Sequence, residues 1–164
     1  MENFEDELKS ELQLSRGFYT DLEHFIMSLV HTYEKIVKVS NDFFAQYGLT
    51  ETQFNALMCL SDYFHYEGGV LNQKELAERL LIKKASAGTL VDRLCKNGWV
   101  EVVPDETDKR AKNVSLTTAG SIKFAEVFEP YYYYLAPLMD GISKGEFMFA
   151  LKIFHKIRKN IDRL

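Results

Sequence analysis

Two groups of side chains in this chain have the types and spacing to do chemistry. The first is Lys83, Lys84, Ser86, Thr89 and Arg93. Helical spacing puts Lys84, Ser86, Thr89 and Arg93, preceded by Lys83, away from Ala87, Leu90, Val91 and Leu94, which recur at i, i+3, i+4 and i+7 as one buried face. Short hydroxyls and long cations on the solvent side of a helix suit contacts with phosphates and base edges. The second group is Asp108, Lys109, Arg110 and Lys112, in a turn-rich, charged run from Pro104 to Lys112. An arginine at a hairpin tip suits the negative potential of a narrow groove. A carboxylate two residues away can hold its guanidinium in one orientation.

Enzymatic chemistry finds no support at local spacing, whether Ser-His-Asp, paired carboxylates or metal ligands. His24 and His31 share a helix face but stand seven residues apart, about 10 Å along the axis, too far to share an ion. They read as ordinary, partly exposed histidines. Cys59 and Cys95 fit no C-x-x-C spacing and read as buried, reduced thiols. Gly68-Gly69 lacks the Lys-Ser or Lys-Thr of a phosphate loop and reads as a turn into Val70-Leu71, a minor strand.

The elements that must position the two cationic groups follow from caps and periodicity. Asn72 with Glu75 is a helix-start pair opening a short helix with Leu76, Ala77 and Leu80 on its apolar side, and Leu81-Ile82 is expected to anchor the turn that follows. The second helix runs from about Lys84 to Asn97 and stops at Gly98. Helix, tight turn and helix read as helix-turn-helix. Trp99 to Val103 and Asn113 to Leu116 read as the strands of a two-stranded wing, and Thr117 caps a new helix in which Gly120 allows close packing under the wing. Around this head lie helices. Residues 1–11 are acidic, a solvated tail or a short helix. A helix from about Arg16 to Tyr47 carries Leu22, Phe25, Ile26, Leu29, Tyr33, Ile36, Val37, Phe43 and Phe44, a stripe wider than one neighbour requires. Thr50 with Gln53 opens a helix whose apolar face is Phe54, Leu57, Met58, Leu60 and Phe64, and Ser143 with Glu146 opens the last. Tyr131 to Tyr134 point all round a helix, so some are buried while others pack at an interface or line a pocket for an aromatic ligand.

At 164 residues and 46% hydrophobic content the chain can bury one real core. It lacks the apolar run of roughly 18 residues needed to span a bilayer and the basic start of a secretory signal, so a cytoplasmic location without membrane partners is expected. The net charge of −4 weighs against a nucleic-acid partner, but the charge is uneven. Residues 72–113 hold nine Lys or Arg against seven Asp or Glu, whereas residues 1–30 hold two against seven. A near-neutral head can bind a polyanion when its cations cluster.

The residues then resemble the multiple antibiotic resistance regulator (MarR) family of winged-helix transcription factors. The likeness rests on Gly68 to Ala77, on Leu90-Val91-Asp92-Arg93-Leu94, on Asn97-Gly98-Trp99-Val100, and above all on Asp105…Asp108-Lys109-Arg110…Leu116-Thr117-Thr118-Ala119-Gly120. The last run looks like the family's wing signature, in which the Arg enters the minor groove. The chain departs from the pattern at Lys83-Lys84, where members commonly carry Ser, at Gly88, and at Thr89, a position often Arg.

The resemblance implies a mainly α fold with a small β wing: a winged helix-turn-helix over residues 49–118, flanked by dimerisation helices over 1–48 and 119–164. It implies a homodimer on a palindromic operator in double-stranded DNA, a repressor modulated by a small aromatic or lipophilic molecule, with no cofactor and no enzymatic activity. Asn72, Gln73, Lys83, Lys84, Ser86, Thr89, Arg93, Asp108, Lys109, Arg110 and Lys112 are the expected DNA-contacting residues. The alternative is a winged-helix module that binds protein in place of DNA.

Overall fold

The computed structural model describes residues 4–104 and 112–164. Its elements in order are α1 (Phe4–Glu11), α2 (Asp21–Gln46), α3 (Glu51–Glu67), β1 (Leu71–Asn72), α4 (Gln73–Arg79), α5 (Lys84–Lys96), β2 (Val100–Pro104), β3 (Lys112–Leu116), α6 (Thr118–Leu135), a 3-10 turn (Ala136–Met139) and α7 (Lys144–Ile161). The mainly helical winged helix-turn-helix expected from the sequence is the observed architecture. The chain forms two compact units, Met1–Ala125 and Glu126–Leu164. None of the described helices is long and apolar enough to cross a membrane.

In the first unit, the core gathers around Phe44, Phe54, Leu57, Leu71, Leu76, Val91, Leu94 and Val114, all almost fully buried. The rings of Phe44 and Phe54 lie 4.8 Å apart, and Phe124 of α6 joins Phe54 at 5.8 Å. Each such side chain removed from water stabilises the fold by roughly 1.5–3 kcal/mol. The three strands pair antiparallel in the order β1-β3-β2. Leu71 and Val102 both pair with Val114, and of the three Leu71 and Val114 are fully buried.

Local chemistry sets the helix starts. Thr50 and Gln53 form the expected reciprocal cap of α3, and Ser143 and Glu146 that of α7. The start of α2 differs from the expected Arg16. Thr20 is extended and its hydroxyl accepts from Glu23 N at 3.0 Å, so the helix begins at Asp21. Arg16 lies ahead of it, paired with Glu23 through contacts of 3.1 and 2.7 Å and 3.6 Å over the Tyr19 ring. Within the acidic start, Phe4–Glu11 is a helix. Glu11 ends α1 and accepts from both His31 Nε2 and Lys35 Nζ of α2 at 2.8 Å. Lys35 and then His31 hold its carboxyl below the usual carboxylate range. His24 stacks on Phe18 at 4.4 Å.

The long stripe of α2 divides by position. Phe43 and Phe44 are buried, whereas Leu22, Phe25, Ile26 and Tyr33 face solvent. Phe64 is likewise exposed, because it lies near the end of α3, whose buried residues end at Leu60. In the second unit Tyr131 is buried while Tyr132, Tyr133 and Tyr134 are exposed, and Phe147, Leu151 and Phe154 of α7 face solvent.

Candidate nucleic-acid interface

The site is built on α4, the turn after it, and α5. Asn72 Oδ1 accepts from Lys74 N at 2.9 Å and from Glu75 N at 3.0 Å, while Glu75 Oε2 accepts from Asn72 N at 2.9 Å. This capping box is worth about 1 kcal/mol and fixes where α4 begins. Leu76 and Ala77 are buried, and the chain leaves the helix through Leu81 N to Glu78 O at 3.2 Å and Ile82 N to Ala77 O at 3.0 Å.

Leu81 was expected to anchor this turn, and it does not. Its φ is +54°, the left-handed region, and 94% of its surface is exposed. The backbone bonds that close the turn require that conformation, which aims the side chain outward, and the half-buried Leu80 and Ile82 flank it. A non-glycine residue there costs roughly 1–2 kcal/mol.

In α5, Ala87, Leu90, Val91 and Leu94 are all buried, as their spacing predicts. The helix is thereby pinned by one face. Lys83, Lys84, Ser86, Thr89 and Arg93 are exposed. Lys83 is the N-cap and makes no side-chain capping bond, which leaves the first-turn N–H groups of α5 and the positive end of its dipole without a side-chain acceptor there. Ala85, Asp92 and Lys96, absent from the expected set, are also exposed and fall with Thr89 along the strip opposite the buried face. The i, i+4, i+7, i+11 spacing from Ala85 is the signal that identifies them.

Asn72 is the cap of α4 and Gln73 its first residue, both half-buried. Lys112 opens β3 opposite Pro104 and is exposed. Asp108, Lys109 and Arg110 lie outside the described residues. The sequence reading brought Lys84, Ser86, Thr89 and Arg93 to one helix with Lys83 just ahead of it, and the structure places them so.

The hairpin is tied to α5 and α6 by a joint at Thr117. Its hydroxyl donates to Gly98 O at 2.7 Å and accepts from Gly120 N at 3.0 Å, while Thr117 N donates to Trp99 O at 3.1 Å. Gly120 has to be bare: a Cβ there would lie 1.9 Å from Trp99 O. The end of α5, the first strand of the wing and the start of α6 therefore meet at hydrogen-bonded backbone. Gly98, at φ +73°, makes the exit from α5.

The two thiols offer no reactive alternative. Burial pushes both Cys59 and Cys95 up, away from the thiolate form. Among the described residues, no group of three or more His, Cys, Asp or Glu is placed to hold a metal ion.

Comparison with known proteins fits this geometry. The sequence model of the MarR family matches residues 47–111, which span α3 to the hairpin. The chain is 31% identical over 125 residues to the transcriptional repressor YetL of Bacillus subtilis, covering 76% of this chain and 72% of that protein. Its fold matches the S. aureus MepR–DNA complex with a TM-score of 0.73 and 20% identity, over 87% of this chain and 99% of MepR. It also matches the heme sensor PefR, in complex with heme and carbon monoxide, with a TM-score of 0.57 and 28% identity over 84% and 92% of the two chains. A helix-turn-helix pinned by its apolar face, a hairpin locked beneath it and a repressor relative over three quarters of the sequence agree: this chain belongs to the MarR family of transcriptional regulators.

Proposed function

We propose that the chain is a homodimeric, sequence-specific repressor of the cytoplasm. It binds a palindromic operator through α5 and the wing, and a small aromatic or lipophilic molecule modulates that binding. The carrying observation is α5: its apolar face is wholly buried while Lys83, Lys84, Ser86, Thr89 and Arg93 remain in solvent. Lys83, Lys84 and Lys112 contact phosphates, and Ser86, Thr89 and Arg93 face base edges in the major groove. Asn72 and Gln73 meet the backbone at the start of α4. Asp108, Lys109 and Arg110 supply the remaining DNA contacts, Arg110 in the minor groove.

A second copy is supported by the unpartnered apolar surfaces. Leu22, Phe25, Ile26, Val30 and Tyr33 of α2 and Phe147, Leu151 and Phe154 of α7 are exposed. Apolar surface on this scale marks an interaction site. Two recognition helices then sit about 34 Å apart, one turn of DNA. The effector clause draws on PefR, a heme sensor of related fold.

A mobility-shift titration with duplex from the chain's own upstream region tests this, against a scrambled duplex of equal length at physiological salt. The reading expects at least about 10³-fold preference for the upstream duplex. Equal affinity for both would refute it, as would a monomer at micromolar concentration by sedimentation.

A further inference from the structure

Thr89 sits in the middle of the outward strip of α5, one turn after Ala85 and between Ser86 and Arg93. Its hydroxyl is already used: Thr89 Oγ1 donates to Ala85 O at 3.4 Å, a bond back to the preceding turn of its own helix. With its proton directed there the hydroxyl can offer a ligand only its acceptor lone pairs, and the γ-methyl is the apolar group of this exposed side chain. Ala85, exposed on the same strip, adds a second methyl and carries no polar atom in its side chain.

In the major groove, a methyl group presented by the protein has one complementary feature among the four base pairs, the C5-methyl of thymine. We infer that Thr89 is a specificity-determining residue that reads a thymine in each half-site through methyl contact, with Ala85 beside it, and not through donation by its hydroxyl. This rests on the proposed reading of α5 as the DNA-contacting helix and adds the base it selects. Arg93, the long cation on the flank of the strip, is left to the hydrogen-bonding edge of a neighbouring pair.

The test uses the full chain and a duplex enriched from a randomised pool by the wild-type protein. Thymines in the enriched site are replaced one at a time by deoxyuridine, which keeps every hydrogen-bonding group and lacks the methyl. One thymine per half-site should lose about fourfold in affinity on this change, the value of a single buried methyl-sized group. Thr89→Val, which keeps the methyl and drops the hydroxyl, should retain the discrimination between thymine and uracil at that position. Thr89→Ser, which keeps the hydroxyl and its bond to Ala85, should abolish it. An enriched site indifferent to uracil at every position overturns this inference and leaves the sequence-specific reading standing. So does discrimination that survives in Thr89→Ser and fails in Thr89→Val. A folded protein that enriches no sequence from the pool overturns the sequence-specific reading, and this inference with it.

Discussion

Replacing Gly120 by alanine tests whether the joint beneath the wing is as tight as its geometry states. The added Cβ would stand 1.9 Å from Trp99 O and 2.8 Å from Trp99 C, both backbone atoms. To reach even 3.0 Å from that oxygen, α6 and the base of β2 must separate by 1.1 Å, the difference between 3.0 and 1.9. Separation by that amount breaks the bonds Thr117 N to Trp99 O, at 3.1 Å, and Thr117 Oγ1 to Gly98 O, at 2.7 Å. Two lost hydrogen bonds cost about 1–3 kcal/mol and overpacking about 1–3 more, so a loss of about 2–6 kcal/mol is expected. In a chain of this size that lowers the melting temperature by roughly 4–24 °C, read by circular dichroism. Gly88→Ala is the internal control, because a Cβ there meets nothing within 4 Å. The same exchange inside α5 should therefore stabilise by about 1 kcal/mol through helix propensity alone. A Gly120→Ala protein melting within about 2 °C of wild type would refute the reasoning, since the contact would then be relieved without breaking the joint.

Two further outcomes follow from local features. Leu81→Gly relieves the left-handed φ of +54° and removes a side chain that is 94% exposed, so it should raise stability by about 0.5–1 kcal/mol after the entropy of glycine is counted; a lowered melting temperature would contradict this. Glu23, held to a pKa of about 2 by the Arg16 guanidinium and by the Tyr19 N–H, contributes stability that is fully present above the ordinary carboxylate pKa of 4.5 and is lost as pH falls from there through about 2. Glu23→Gln should thus melt below wild type at neutral pH and converge with it at the acid end, and a difference that stays constant from pH 6 to 2 would sink the assignment.

The helix-turn-helix was legible because its signals are local. Asn72 and Glu75, Thr50 and Gln53, and Ser143 and Glu146 each cap within one turn, and the apolar spacing of α5 fixes which face is buried. Gly120 was readable as a close approach because glycine in a first helical turn has few other reasons to be there, and the Trp99 carbonyl supplies the reason. The turn at Leu81 was not legible. Hydrophobicity suggested an anchor, whereas backbone bonds from Leu81 and Ile82 to the end of α4 set its conformation and turn the side chain out. The start of α2 was misplaced for a related reason: apolar periodicity fades gradually, and the choice of Thr20 depends on a bond to Glu23 N. On α5 the exposure of Lys84, Ser86, Thr89 and Arg93 was legible from helical spacing, and Ala85, Asp92 and Lys96 share that exposed side.

That α5 carries the DNA contact is tested by the salt dependence of binding in Lys84→Ala. Operator affinity is titrated by fluorescence anisotropy from about 50 to 200 mM salt for wild type and variant, with the melting temperature recorded alongside. Lys84 is exposed at the first turn of α5, so its loss should leave the fold unchanged while lowering affinity. The slope of log K against log salt should fall by about one unit, the mark of one phosphate contact removed. An unchanged slope together with unchanged affinity would contradict the placement of DNA against this helix.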